Sequence, residues 1–293
     1  MLDAYLAQSA RCTTGNEFNR LHITLETALA PAEVCALIDG VRERAVEVPP
    51  ASAHWLDRMD ALLRGGGRRV QPYVRHVISE GATVYAAPGD DRARMNRTLV
   101  IAYTGDANRL MMPIGLFLQH CPAEQYEFVV LVDRSRTFYL TGIAGVGENL
   151  PAAIERLRDL CVPSRFRRAM TFGTSAGGLA AVWTAVALGL SRAVSVGGTT
   201  PAEVARRYQT QDMSTEGFDD ALRRATRLPE VILVVGEHAR NDQQKALTMS
   251  ALLPATTVVV PGTAHHNVLF DAWKGGSLEE LLEGLLGEGK ASG

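Results

Sequence analysis

The sequence lacks paired cysteines and long apolar runs. Its longest apolar stretch, residues 177–190, is shorter than the roughly 20 helical residues that a membrane span needs. Asp3 comes early, and no basic stretch precedes an apolar run, so we expect neither a signal peptide nor a membrane partner. The chain has four widely spaced cysteines, Cys12, Cys35, Cys121 and Cys161. This spacing excludes a disulfide framework, and reduced thiols in the cytoplasm are the default expectation.

An excess of either charge is also absent. Thirty basic and 32 acidic residues give a net charge of −2. Proteins that bind nucleic acids usually carry a basic excess, so we expect no nucleic-acid partner. The hydrophobic fraction of 46% and the charged fraction of 21% exclude a fully disordered chain and indicate a sizeable core. No segment of 20 to 50 residues repeats, which excludes a solenoid.

The pattern of apolar residues changes near residue 70. Before that point it is helical: Pro31 suits a first helical position, and apolar residues follow at three- and four-residue spacing. A second helix is predicted over residues 53–63, and the three glycines from Gly65 to Gly67 end it. We therefore predict a helical N-terminal extension over residues 1–68 and a second domain over residues 69–293.

From residue 70 onward, predicted strands alternate with predicted helices. Residues 73–79 and 82–87 read as a hairpin. Short Val-rich runs without polar alternation indicate strands that are covered on both faces, and they lie at 98–103, 128–132, 169–172, 193–196, 231–235 and 257–260. Helices are predicted between them at 113–120, 150–161 and 176–188, and from residue 278. This alternation predicts an α/β fold with a doubly wound, mostly parallel sheet.

A G-x-S-x-G motif carries the strongest chemical signal. Gly173-Thr174-Ser175-Ala176-Gly177 directly follows one predicted strand and directly precedes a predicted helix. This is the context of a nucleophile elbow, a sharp turn that exposes a serine hydroxyl above the edge of the sheet. The helix N-terminus supplies partial positive charge, and the free N–H of Ala176 is a candidate donor to an oxyanion.

A serine nucleophile needs a base, and the base needs a group that orients it. Two loops that leave the carboxyl ends of predicted strands offer both. The loop after residues 231–235 contains Glu237 and Asp242, and the loop after residues 257–260 contains His265 and His266. The chain order is therefore serine, acid, histidine, at the sheet edge where α/β sites assemble.

Over about residues 70 to 290, the elbow and these two loops resemble the α/β-hydrolase family of serine hydrolases. The resemblance implies the α/β-hydrolase fold, with Ser175 as nucleophile and a histidine of the later loop as general base. Members are mostly esterases, lipases, thioesterases and peptidases, with some acyltransferases and some non-catalytic relatives. In this family a lid usually inserts between the two strands that flank residues 198–230 here. This segment is short, so we expect a small cap at about 198–230 and an open cleft.

Two positions of the triad stay open at this level. Members often carry the acid three residues after the glycine that ends the strand, and that residue is Ala239 here. We favour Asp242, which a longer loop would carry over the sheet edge, with Glu237 as the alternative. We favour His266 over His265, because the residues after His266 look like the helix entry that commonly follows this histidine.

The second oxyanion donor is expected in the loop after residues 98–103. Many relatives have His-Gly there, whereas this chain has Thr104-Gly105-Asp106, so the amides of Gly105 and Asp106 are the candidates. No carboxylate at ligand spacing accompanies the adjacent histidines, so we predict no metal. The glycine-rich segment 142–147 lacks dinucleotide spacing, so we predict no cofactor.

These residues predict a serine hydrolase that cleaves an ester or thioester through an acyl-enzyme. The expected partner is a small-molecule acyl substrate, with a carrier- or CoA-linked acyl group as one option and a homodimer left open. An acyltransferase with the same triad is the first alternative. The second is a non-catalytic binding protein, which predicts that neither Asp242 nor His266 lies within hydrogen-bond reach of its partner.

Overall fold

Four helices form the N-terminal part of the molecule. The computed structural model describes residues 1–89, 91–208 and 214–287, and only the backbone of residues 91–93. The helices are α1 (Leu2–Arg11), α2 (Gly15–Glu26), α3 (Pro31–Glu43) and α4 (Pro50–Arg64). Pro31 is the first residue of α3, and glycines 65–67 end α4 in a short 3-10 turn, as the sequence predicts. Their apolar faces share one buried cluster that includes Leu37, Ile38 and Met59.

One eight-stranded sheet forms the centre of the rest of the chain. Its strands are β1 (Val74–Ser79), β2 (Ala82–Ala86), β3 (Thr98–Tyr103), β4 (Tyr126–Leu131), β5 (Arg168–Thr174), β6 (Arg192–Val196), β7 (Glu230–Gly236) and β8 (Ala255–Val260). They lie in the order β1-β2-β4-β3-β5-β6-β7-β8. Only β2 runs opposite to the others, since it pairs antiparallel with both β1 and β4.

Helices cover both faces of this sheet. Alternate residues of β3 show why both faces are apolar: Leu99 and Ile101 belong to one buried cluster, and Val100 and Ala102 to the other. The first cluster contains residues of α6 (Leu150–Cys161), α7 (Gly177–Leu188) and α10 (Arg240–Ser250). The second contains residues of α5 (Ile114–Gln119), α11 (Val268–Lys274) and α12 (Leu278–Leu286). This confirms the predicted fold class, a doubly wound, mostly parallel sheet of the α/β-hydrolase type.

Two elements differ from the expectation. Strand β4 begins at Tyr126, before the predicted start at residue 128, because Glu127 is buried and its carboxylate accepts from Arg94 Nε at 3.1 Å. Helix α10 was not predicted at all, because its exposed face is polar and few of its residues are apolar. The predicted longer loop before Asp242 is therefore wrong, since Asp242 lies in the first turn of this helix.

The segment predicted as a cap contains two short helices. These are α8 (Pro201–Arg207) and α9 (Glu216–Arg224), and residues 209–213 of the same segment lie outside the described residues. Helix α9 packs the buried ring of Phe218 against Trp183 of α7, with ring centroids 5.9 Å apart. The cap and the domain boundary after residue 68 stay predictions.

The N-terminal helices attach to the sheet domain by polar contacts as well as packing. The Nε of Arg75 on β1 donates to both carboxylate oxygens of Glu33 on α3, at 2.9 and 3.1 Å. The hydroxyl of Tyr85 on β2 donates to the carbonyl of Ala28. A side chain at Gly115 of α5 would lie 3.1 Å from the carbonyl of Leu29, so the two backbones are in close contact. None of the described helices is both long and apolar enough to cross a membrane.

The packing of Phe128 gives a test of the core. This side chain on β4 is fully buried, and its ring meets those of Tyr73 and Phe117 edge-on. We expect Phe128→Ala to lower the free energy of unfolding by about 3–5 kcal/mol, because it leaves a cavity. Val77→Ala on the exposed side of β1 should change it by about 0.5 kcal/mol or less. Denaturant unfolding measures both, and equal effects would contradict the assigned core.

Buried His22 predicts a pH dependence of stability. Desolvation, with a smaller contribution from the charge of Arg58, lowers the pKa of His22 from 6.5 to about 4. The unfolded chain therefore binds more protons between these values, and the free energy of unfolding falls as the pH drops from about 6.5 to about 4. His22→Phe keeps the stacking on Trp55 and removes the titrating group. Denaturant unfolding at several pH values should show a flatter profile for this variant, and an unchanged slope would contradict the assignment.

Candidate active site

The turn between β5 and α7 has the geometry of a nucleophile elbow. Ser175 has φ +50°, a left-handed conformation that is strained for a residue with a side chain. Two close backbone approaches produce it. A Cβ at Gly173 would lie 2.3 Å from the carbonyl oxygen of Gly177, and a Cβ at Gly177 would lie 2.5 Å from that of Tyr103. Glycine is therefore required at both positions, as the motif predicts.

Hydrogen bonds to the backbone hold the strained serine in place. The N–H of Ser175 donates to the carbonyl of Val196 on β6 at 2.9 Å. The carbonyl of Ser175 accepts from the N–H groups of Gly178 and Thr199, both at 3.0 Å. The residue is half-buried, so its side chain retains access to solvent. These contacts over-determine the turn, which is what a strained conformation needs in order to persist.

Asp242 and His266 form a hydrogen-bonded pair. Their side chains meet with 2.7 Å between the Nδ1 of His266 and the Oδ2 of Asp242. The Asp242 side chain is 4% exposed and that of His266 is 41% exposed, so the carboxylate lies behind the imidazole as seen from solvent. Because an ionised carboxylate can only accept, this contact favours the tautomer with the proton on Nδ1 and an acceptor lone pair on Nε2.

Helix α10 places the acid. It begins at Arg240, shortly after β7 ends at Gly236, and Asp242 lies in its first turn, where a carboxylate is stabilised by the helix dipole. One turn later, the Nζ of Lys245 lies 3.7 Å from the Oδ1 of Asp242 and 3.2 Å from the Oε2 of Glu203 on α8. Each oxygen of the buried carboxylate therefore faces a cationic or donor group.

Gly197 connects this pair to the serine. This residue follows β6 and has φ +54°. A Cβ there would lie 2.9 Å from the Cε1 of His266 and 3.2 Å from the Oδ2 of Asp242. The preceding residue, Val196, is the one that accepts the Ser175 N–H. The imidazole of His266 therefore lies against Gly197, whose neighbour Val196 is bonded to Ser175.

The hydroxyl of Ser175 forms no hydrogen bond to either imidazole among the described residues. Catalytic hydrogen bonds in ligand-free structures are often long and tighten only when substrate binds. Of the predicted site residues, the structure therefore brings Asp242 and His266 into contact and places His266 next to the elbow of Ser175.

The two alternative residues of the predicted triad lie elsewhere. The Oε2 of Glu237 accepts from the N–H of Gly262 at 2.8 Å, so this exposed carboxylate holds the turn after β8. His265 is exposed, and within residues 214–287 and the other described ranges its ring makes no hydrogen bond. Neither side chain forms a hydrogen bond or ion pair with Asp242 or His266.

The loop after β3 lies directly against the elbow. A Cβ at Gly105 would lie 3.1 Å from the Cβ of Ser175. However, the Gly105 N–H donates to the carbonyl of Arg109 at 3.0 Å, so it is not free to bind an oxyanion as predicted. The N–H groups of Ala176 and Asp106 donate to no acceptor in the described chain. Both amides therefore remain available near Ser175.

Three residues near the site were not identified from sequence. Lys245 was missed together with α10, although its spacing from Asp242 is that of one helical turn. Gly197 carries no signal beyond being one of two adjacent glycines after a strand. Arg109 was missed because its contact with the elbow depends on its backbone carbonyl, which also accepts from the Oγ1 of Thr174 at 3.3 Å.

The described part of the chain contains no group of three or more histidine, cysteine, aspartate and glutamate side chains that is arranged to hold a metal. The four cysteines are free thiols, and three of them are buried. Burial raises the pKa of Cys161 to about 12, so this thiol is protonated at neutral pH.

No protein-family model and no curated protein matches the chain. Similar solved structures include an esterase from the bacterial hormone-sensitive lipase family, at 19% identity over 89% of this chain and 100% of that one, with a TM-score of 0.48. Dienelactone hydrolase from Anabaena variabilis is 15% identical over 74% of this chain and 100% of its own, with a TM-score of 0.46. Esterase B from Lactobacillus rhamnosis is 16% identical over 86% of this chain and 93% of its own, with a TM-score of 0.47.

Gly197→Ala tests the placement of the imidazole. The added methyl group would overlap the ring of His266, so we expect the Asp242–His266 hydrogen bond to be lost in a folded protein. Proton NMR measures this as disappearance of the downfield resonance of the Nδ1 proton. Gly189→Ala is the matched control, because Gly189 also has a left-handed φ, +64°, but no atom within 4 Å of the added Cβ. Retention of the resonance in Gly197→Ala would contradict the placement.

Proposed function

We propose that the protein is a serine hydrolase that cleaves an ester bond through an acyl-enzyme intermediate. The observation that carries this proposal is the strained, half-buried Ser175 at the end of β5, beside a histidine whose Nδ1 is held by a buried carboxylate. A strained serine conformation costs free energy and persists where function requires the side chain to project. Supporting residues come from separate strands, which is how active sites of parallel sheets are built.

The acylation step assigns one role to each side chain. The Oγ of Ser175 attacks the carbonyl carbon of the ester while the Nε2 of His266 takes its proton. Asp242 keeps the Nδ1 proton in place and stabilises the imidazolium that forms, because its carboxylate lies 2.7 Å away in a buried position. The imidazolium then protonates the leaving alcohol, and the acyl group remains on Ser175.

The developing negative charge on the carbonyl oxygen needs donors that are already in place. The N–H groups of Ala176 and Asp106 are free and lie on the two loops that flank Ser175. Ala176 also precedes α7, so the helix dipole adds partial positive charge at that position. Preorganised donors of this kind are worth about 10²- to 10³-fold in rate each.

Exposure of the imidazole favours hydrolysis over acyl transfer. His266 is 41% exposed and His265 is exposed, so water reaches the base that must activate it for deacylation. An acyltransferase with the same triad must instead keep water out of the acyl-enzyme. A non-catalytic binding protein would have no reason to keep Asp242 and His266 in contact, and their distance of 2.7 Å argues against it.

We also propose that the acyl group is small or mid-sized and polar. The exposed base indicates an open cleft, and Asp106 places a carboxylate on the oxyanion loop, which disfavours anionic acyl chains. Thioesters, including carrier- and CoA-linked ones, remain within the same chemistry, because the triad attacks them by the same route.

A fluorophosphonate probe and short-chain p-nitrophenyl esters test the proposal. The wild-type protein should be labelled by the probe and should hydrolyse the acetate and butyrate esters. Ser175→Ala should lose labelling and lower kcat by at least about 10⁴-fold, because the nucleophile is gone.

Ser135→Ala is the matched control, because Ser135 is an exposed serine on the loop after β4. This variant should keep both the labelling and the esterase rate. Equal labelling of the wild type and Ser175→Ala, or no labelling of a folded wild type, would contradict the proposal.

A further inference from the structure

The N-terminal helices reach the site through one buried carboxylate. Glu26 is the last residue of α2, and its side chain is 4% exposed. Its Oε1 accepts from the Nε1 of Trp55 at 2.9 Å and from a guanidinium nitrogen of Arg58. Its Oε2 lies 2.7 Å from the Nη2 of Arg109. The first two partners belong to α4, whereas Arg109 belongs to the loop after β3.

Arg109 joins that carboxylate to the elbow. Its carbonyl oxygen accepts from the N–H of Gly105 and from the Oγ1 of Thr174, the residue before Ser175. One backbone carbonyl therefore holds the oxyanion loop closed on itself and ties it to the nucleophile turn. The side chain of the same residue ends in the ion pair with Glu26.

Several polar side chains of this loop lack partners, although the N–H of Asn108 donates to the carbonyl of Gly105 at 2.8 Å. Three buried polar atoms of this loop find no hydrogen-bond partner in the described structure: the Oδ1 of Asp106, the Oδ1 of Asn108 and the Nε of Arg109. Asn108 also has a left-handed φ of +56°. A loop with unsatisfied buried groups and local strain needs support from outside to keep one conformation.

We propose that the Glu26–Arg109 ion pair positions the oxyanion loop, so that the N-terminal helical segment takes part in the reaction through the amide of Asp106. This inference rests on the proposed function. Glu26 and Arg109 are positioning residues, because neither needs to touch the substrate. Loss of the pair frees the carbonyl of Arg109 to move, and the amides of Gly105 and Asp106 move with it.

Arg109→Met is the most direct variant. It removes the guanidinium and keeps the backbone carbonyl, and Glu26 retains its partners on α4. We expect kcat for p-nitrophenyl butyrate to fall about 10-fold or more, with KM changed about twofold or less, because an oxyanion donor acts mainly in the transition state. Arg109→Lys should recover part of the lost rate, since it restores a cation.

Glu26→Gln tests the other partner. It should lower kcat to a similar extent, and the double variant Glu26→Gln/Arg109→Met should be no slower than the slower single variant. Such non-additivity is expected when two residues act through the same contact. If the fold-reductions in kcat of the two single variants multiply in the double variant, the residues act independently and the inference is overturned.

Asp39→Asn is the matched control in the same segment. Asp39 on α3 accepts hydrogen bonds from the Nη1 and Nη2 of Arg64 on α4, at 2.8 and 2.6 Å, and forms no hydrogen bond or ion pair with a residue of the site. This variant should keep the wild-type kcat even if it lowers the stability of the helices. An equal loss of kcat in Asp39→Asn would show that weakening the helical segment in general, rather than this pair, affects the rate.

Hydrogen exchange separates the inference from the proposed function, because it does not depend on activity. Mass spectrometry of a peptide that covers residues 104–110 should show faster exchange at the Gly105 amide in Arg109→Met and Glu26→Gln than in the wild type and Asp39→Asn. If the wild type has no esterase activity but exchange is faster in both variants, the positioning contact is upheld while the proposed function fails. Unchanged exchange and unchanged kcat in both variants would overturn the inference while an active wild type upholds the function.

Discussion

Close approach of three backbone segments at the elbow is the constraint on which the site depends. Helix α7 passes so near β5 and β3 that neither Gly173 nor Gly177 has room for a Cβ. The chain therefore turns sharply, and Ser175 takes a left-handed conformation in which it stays half-buried. The same approach brings the loop after β3 against the serine, since Gly105 meets its Cβ. One packing arrangement thus positions Ser175 and the loop to which we assign an oxyanion donor.

The parallel sheet supplies the remaining groups to the same edge. Strands β6, β7 and β8 end beside the elbow, and the residues that follow them are Gly197, the α10 turn with Asp242, and the loop with His266. The absence of a side chain at Gly197 leaves room for the imidazole of His266, and the hydrogen bond to the buried Asp242 orients the Nδ1 of that ring. Each of these groups depends on a different strand, so the sheet as a whole sets their separation.

The sequence was informative where local pattern determines structure. Strand β3 and helix α6 have the predicted bounds, since local features set both: a buried apolar run forms β3, and the side chain of Asn149 caps the start of α6. Helix α10 was missed, because a largely polar helix that packs only Ala246 and Met249 into the core has little apolar periodicity. The order of serine, acid and histidine motifs indicated which loops meet. It could not show that the Gly105 amide is used within its own loop, because that depends on the fold of residues 104–109.

Contacts between distant segments lie beyond sequence patterns of this kind. Glu26 and Arg109 carry no motif, and their pairing follows from how α2 packs on α4, which in turn packs on α5 after the loop that holds Arg109. The residues before 69 were predicted as a helical extension with no assigned role. The buried carboxylate of Glu26 links these helices to the loop next to Ser175, so the two parts of the chain are physically coupled.

A crystal structure of the protein after reaction with a phosphonate ester would test the role of Ser175. We expect a covalent bond between phosphorus and the Oγ of Ser175. We also expect a phosphoryl oxygen within hydrogen-bond distance of the amides of Ala176 and Asp106, with His266 Nε2 facing the leaving-group position. An adduct on another residue, or a phosphoryl oxygen turned away from both amides, would contradict it.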